Sequence, residues 1–441
     1  MSQEIARDVT FANIANMTVI RDHADIQSVL RSPDVVQLKG DLPLEGRPFT
    51  TGSLLAINGD QHLARRRLYA TLFSNEMLHY LYDHGSRPVI VDTLVRLAED
   101  SAKAGTEPEA DLAEMGAMLL YRVAAQIVGV DGVETDEGVN AFTRIVDGIG
   151  KGIALEWIHD PDPIVVEAQA AQEELRERFF NPSLARRREL VQAYREGRIE
   201  RADLTRDVIT LWLLDTDSDV DEEMLLIEVG VFLNASTRTT VRVLPHIVQR
   251  IATWLDEHPE DRQHATESTF LRGAISESLR LHGLIPALLR RVVNPITLPS
   301  GATLEPGEQL ALIFRDASVD PEIYGDDTME FDPYRINRLP RKTSPWGLAF
   351  GGGAHMCIGR RLVTGGDWRR DSEASDRDVD GSLVAIVRAL FEAGVRPHPD
   401  KAAVDHVSAH FSEYDEYLTY PVTFTTLDRF VASARASTKE A

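Results

Sequence analysis

The stretch "FGGGAHMCIG", Phe350 to Gly359, holds the one cysteine of a 441-residue chain, beside three consecutive glycines and a histidine. Glycines in a row give a backbone that can take positive φ and let a large flat group come close. Cys357 opens a predicted helix, "CIGRRLV", whose free amides and N-terminal dipole stabilise a thiolate. A thiolate there is a natural metal ligand. Zinc needs four ligands, and neither a second cysteine nor a nearby histidine pair supplies them. Iron in a haem needs only one axial protein ligand, and haem would fill the space the glycines leave. An inert cysteine beside a glycine turn is the competing reading, so the rest of the chain must decide.

The composition is that of a soluble globular protein, with 43% hydrophobic and 27% charged residues. No run of about eighteen apolar residues suggests a membrane span, and the N-terminus lacks the basic-then-apolar order of a secretory signal. One cysteine forbids an internal disulfide, which points to a cytoplasmic protein. A net charge of −23 argues against nucleic acid as a partner. Apolar residues at three- and four-residue spacing predict helices over 91–105, 111–130, 182–197 and 267–282. The longest such stretch, 221–259, is apolar on nearly every face in its middle and should cross the core, with Pro245 bending or breaking it. After residue 283 the texture changes to β-branched runs broken by "PSG" and "PG", which reads as short strands and turns. A helix over 382–394, a late strand over 417–427 and a frayed tail complete the expectation. The fold class is mainly α with small β-sheets (α+β), in a single large domain.

The residues Phe350, Gly353, His355, Cys357 and Gly359 have the spacing F-x-x-G-x-H-x-C-x-G. This resembles the haem-binding signature of the cytochrome P-450 superfamily. Other matches stand in the expected order. "ESLR" supplies an E-x-x-R pair, Glu277 and Arg280, and "FDPYRINR" offers Arg335 as the third member of a buried cluster. "HLARRRL" resembles the helix whose His62 and Arg66 would bind a haem propionate, and Arg291 in "LLRRVVNPITL" holds another propionate position, with neighbouring Arg290 leaving the register open. The resemblance covers residues 19–427, between an N-terminal extension (1–18) and a C-terminal tail (428–441). It implies haem b ligated by Cys357, Phe350 packed against the thiolate loop, His355 near a propionate, and Gly359 letting the next helix approach the ring. It also implies insertion of one oxygen atom from O2 into a small-molecule substrate. Electrons would come from NAD(P)H through a separate ferredoxin and its reductase, docking on a patch of Arg360 and Arg361 with Arg65 or Arg67.

Three departures from the family pattern stand out. On the long helix, "ASTRT" places Thr239 at the oxygen-handling threonine, but Arg238 replaces the usual acid. An arginine stays protonated and cannot shuttle a proton. That opens two alternatives, a peroxide-using or non-hydroxylating oxidase and a haem sensor without turnover. It also suggests Arg238 as an anchor for an acidic substrate group, against a plainer role facing a protein partner. The second departure is at the front, where His62 comes early, so either the true start lies upstream or the substrate entrance is unusually open. The third is "TGGDWRRDSEASDRDVDG" (364–381), which interrupts the helix after Cys357 as an inserted loop. The substrate pocket is expected among 42–57, 150–170 and Phe232 to Thr239.

Overall fold

The structure is a computed structural model that describes residues 16–38, 48–155, 162–215, 220–283, 285, 287–366, 379–407 and 415–440. Residues 42–47 of the 42–57 expectation, 367–378 of the 364–381 expectation, and Trp157 therefore lie outside the described residues. The helices in chain order are α1 (His23–Arg31), α2 (Gly59–Ala70), α3 (Asn75–Leu81), α4 (Arg87–Ala104), α5 (Leu112–Val128), α6 (Asp136–Ile153), α7 (Asp162–Leu175) and α8 (Asn181–Arg195). They continue with α9 (Val208–Leu214), α10 (Glu222–Glu257), α11 (Ser268–Leu281), α12 (Phe314–Ser318), α13 (Pro321–Tyr324), α14 (Arg360–Thr364), α15 (Ser382–Glu392) and α16 (Leu427–Glu440). The strands are β1 (Thr18–Ile20), β2 (Val35–Gln37), β3 (Glu109–Asp111), β4 (Ala287–Val292), β5 (Ile296–Thr297), β6 (Thr303–Leu304), β7 (Gln309–Ile313), β8 (Val395–Pro397), β9 (Val404–Val407), β10 (Asp415–Thr419) and β11 (Pro421–Phe424).

The organising element is α10, 36 residues long, or about 54 Å at helical rise. Asp221 caps it by accepting the Met224 amide at 2.8 Å. Pro245 does not break it, contrary to expectation. Val243, Leu244, Ile247, Val248 and Ile251 are all wholly buried, and burial on every side outweighs the one lost amide bond. Gly116 of α5 makes room for this packing, since a Cβ there would come within 2.7 Å of Leu244.

The sheets are small and marginal. The largest has the order β1-β7-β4-β2, with β1 parallel to β7 and the other pairs antiparallel. Beneath it lies the predicted charge cluster. Glu277 accepts from Arg280 at 2.7 and 2.8 Å and from Arg335 at 2.7 Å. All three are almost completely buried. Arg280 also donates to the Ser318 and Thr328 carbonyls, and Arg335 to those of Tyr324 and Glu330.

One feature of the C-terminal part differs from expectation, and a second lies at the ends of the 364–381 interruption, most of which is outside the described residues. The expected frayed tail begins as helix: α16 docks on α4, with Val431 buried and Arg435 paired to Glu99 at 2.7 Å. An amphipathic face, rather than composition, decides that. The 364–381 interruption leaves and rejoins the fold at a closed neck. There the Gly366 amide donates to the Val379 carbonyl at 2.8 Å, and half-buried Asp380 pairs with Arg272 and Arg388.

Glu277→Ala would leave two buried guanidinium groups without their shared carboxylate. It is expected to cost on the order of 3–5 kcal/mol in chemical denaturation. A loss under about 1 kcal/mol would assign the cluster's work to the backbone carbonyls instead.

Candidate functional site

The cysteine loop is shaped by glycines at two positions. Gly351 and Gly353 have φ of 65° and 63°, and a Cβ on Gly353 would run into the Leu30 carbonyl of α1. The Cys357 amide donates to the Phe350 carbonyl at 2.8 Å, closing the loop on itself. Phe350 is buried, with its ring edge-on to Trp346 at 5.6 Å. The Cys357 side is open to solvent on its front. The protein mass behind it pushes the thiol up, while the Gly359 and Arg360 amides and the charges of Arg66 and Arg360 act to lower it. In front of Gly359 the space is clear, with only the Cys357 sulfur within 4 Å of where a Cβ would be.

Helix α2 brings His62 and Arg66 to this loop. The His62 and His355 rings stack at 3.9 Å, and Arg66 donates to the Met356 carbonyl at 2.6 Å. From β4 the nearby cation is Arg290. It is buried and donates to Gln37, and its charge is felt by His355. Arg291 is a half-buried neighbour on the opposite face of the strand, because side chains alternate. Of the two arginines, Arg290 is the one whose charge acts on His355. Burial and then the charges of His62, Arg290 and Arg66 push His355 down to about 3. Burial, then Arg66, lowers His62 as well. Every charge acting on these two rings is positive. Among the described residues no carboxylate acts on the two rings, and the cluster's charge suits a carboxylate-bearing group.

The long helix contributes differently. Ala235 is exposed although Leu233 and Thr237 beside it are buried, so α10 opens onto free space at that point. Half-buried Thr239 donates to the Ala235 carbonyl at 3.0 Å. Arg238 reaches α6 and donates to the Asp147 carbonyl at 3.3 Å. Gly150 makes this possible, since a Cβ there would lie 2.7 Å from Arg238 Cδ. Asp147 in turn accepts the Tyr121 hydroxyl at 2.5 Å.

Two arginines of the expected docking patch are committed inside the protein. Arg361 donates to the Phe73 carbonyl and to Asn75, and buried Arg65 pairs with Glu228 at 3.3 Å. Sequence reasoning missed Glu228. Its signal was a lone carboxylate in the apolar run "MLLIEVGVFL" of a core helix.

A cysteine loop over open space, a cationic cluster beside it and a core-crossing helix define a haem-thiolate fold. The sequence profile of the family Cytochrome P-450 matches residues 12–364. Cyclooctat-9-en-7-ol 5-monooxygenase of Streptomyces melanosporofaciens is 26% identical over 372 residues, covering 77% of this chain and 74% of that protein. CYP154A1 from Streptomyces coelicolor superposes with a TM-score of 0.65 at 22% identity, over 92% of this chain and 91% of that one. Substrate-free CYP109E1 from Bacillus megaterium gives 0.66 at 18% identity, over 96% of both chains. The chain belongs to the cytochrome P-450 family and is a monooxygenase-type oxidoreductase. Among the described residues no helix is long and apolar enough to cross a membrane.

Gly353→Ala forces a left-handed backbone and a clash with Leu30 on the cysteine loop. The expected loss is at least about 2 kcal/mol in thermal or chemical unfolding. Wild-type stability in this variant would mean that the loop can take another path.

Proposed function

We propose that this protein is a haem b monooxygenase in which Cys357 is the axial thiolate, with His62, Arg66, His355 and Arg290 receiving the propionates. The observation that carries this reading is the group of basic side chains beside Cys357 whose two histidines, among the described residues, feel only positive charges. A bound haem would supply oxygen activation, which a thiolate ligand favours. The protein's own residues bind, orient and exclude. Phe350 and Trp346 back the loop, and Gly359 leaves the front of the sulfur clear. Thr239 spends its hydroxyl proton on Ala235, so its oxygen is presented as an acceptor. Arg238 neither relays protons nor enters the substrate space, because its guanidinium is turned to α6.

The withdrawal of Arg238 favours a neutral, largely apolar small molecule over an acid as substrate. The named substrate of the Streptomyces melanosporofaciens relative, a cyclic alcohol, is of that kind. We place the protein in the cytoplasm, with electrons delivered from NAD(P)H by a ferredoxin and its reductase. Of the expected docking arginines, Arg67 is exposed and Arg360 lies over the Trp346 ring at 5.0 Å, while Arg65 and Arg361 are committed inside.

The ferrous–CO complex is expected to show the red-shifted Soret band of a thiolate-ligated haem, and Cys357→Ala to lose it. A histidine-type band from fully loaded wild type would overturn the assignment. Carboxylic acids are expected to perturb the ferric haem spectrum no more strongly than their methyl esters, in wild type and in Arg238→Ala alike. A preference for acids that disappears in the variant would return Arg238 to the substrate site.

A further inference from the structure

A cavity of about 730 Å³ lies between the C-terminal third of α10 and the segment 327–332. Arg250 on its wall is fifteen residues past Ala235, about 22 Å along the helix. The cavity is therefore separate from the opening at Ala235, and its lining shares no residue with the cysteine loop. It is large enough for a small organic molecule.

Arg250 is the unusual member of the lining. Its guanidinium carries several N–H donors in a fixed fork. It is half-buried, and among the described residues it makes one hydrogen bond, to the Ser278 carbonyl of α11 at 3.4 Å. That is longer than the ordinary range for a nitrogen donor. No carboxylate of the described residues pairs with it. Glu277 acts on it from a distance but is already shared by Arg280 and Arg335. None of its nitrogens is sealed in the interior without a partner, so the donors left unmet open into the cavity. Burial pushes Arg250 down to about 10, which leaves it charged at neutral pH. A half-buried cation with one long contact is stabilised by any anion that can reach it.

The rest of the lining selects the kind of anion. Asp327 and Asp332 are neutralised by Arg335 and Arg338. Glu257 and Glu330 are exposed and form no ion pair among the described residues. A simple anion would be repelled by these two carboxylates on its way to Arg250. A molecule that also carries an ammonium group turns them into partners. Aromatic rings form the apolar wall. Trp254 donates its indole N–H to Asp261 at 2.7 Å and stacks on His258 at 3.7 Å, and Phe331 stands edge-on to it at 6.1 Å. A wall already fixed by such contacts loses little freedom when another ring packs against it. Arg250, Trp254 and Glu257 share one face of α10, so a single small molecule can touch all of them.

We propose that this cavity binds an aromatic amino carboxylate, with its carboxylate on Arg250, its ammonium group on Glu257 and Glu330, and its ring against Phe331 and Trp254. The proposal does not depend on the haem reading.

The test is calorimetric titration of the full-length protein with L-phenylalanine and with hydrocinnamate, the same molecule without its ammonium group. L-phenylalanine is expected to bind at least about tenfold more tightly, the order of effect of one hydrogen bond to a charged group. Arg250→Gln leaves no paired carboxylate orphaned and should weaken L-phenylalanine at least about tenfold. Glu257→Gln combined with Glu330→Gln, both at exposed positions, should bring L-phenylalanine to the affinity of hydrocinnamate. If Arg250→Gln fails to fold, the glutamate pair still decides. Hydrocinnamate binding as tightly as L-phenylalanine to wild type overturns the proposal. So does the absence of L-phenylalanine binding up to about 10 mM, or an affinity for it that the folded variants leave unchanged.

Discussion

The position of the reactive cysteine depends on one buried carboxylate, Glu277. Two guanidinium groups could not remain in the core without it, and each distributes its remaining donors to backbone carbonyls of the irregular region between α12 and the cysteine loop. The connection to the site can be followed bond by bond. Arg280 holds the Ser318 carbonyl, and the Ser318 hydroxyl accepts the Leu348 amide at 3.0 Å. The Leu348 carbonyl accepts Gly351, and Phe350 accepts Cys357. A region with almost no regular secondary structure is held in place by charge instead of by a ladder of strands.

The same economy of charge appears in the α2 triplet Arg65, Arg66 and Arg67. Successive helical residues point about 100° apart, so three identical side chains meet three environments. Arg65 is buried against Glu228, Arg66 lies against the cysteine loop, and Arg67 is in solvent. A chain of net charge −23 can thus concentrate positive charge beside its cysteine loop. Bulk charge says little about a site, because local packing sorts the ions.

Arg238 lies against a neighbouring helix in this structure. Three glycines of α6, Gly148, Gly150 and Gly152, let other elements approach closely, and the middle one makes room for the arginine. The guanidinium then finds a carbonyl instead of an unpaired place in a low-dielectric chamber. The cost of burying a charge dictates where this side chain points, more strongly than its place in a motif.

The cysteine signature, the E-x-x-R pair and the helical periodicities were legible because each is local, a matter of spacing along one element or one loop. The sequence by itself determined a mainly helical cytochrome P-450 fold, and it singled out Cys357, His62, Arg66 and His355, which the fold brings to one loop and the helix beside it. It could not choose between Arg290 and Arg291, because strand register is set by pairing with β2 and β7 and only pairing decides which face is buried. It could not foresee that α10 runs intact through Pro245, that α16 docks, or that Arg361 and Arg65 are spent internally. Those outcomes depend on partners distant in sequence. Tertiary structure decided them because the free energy of a buried charge, or of a helix lacking one amide, is set by what surrounds it.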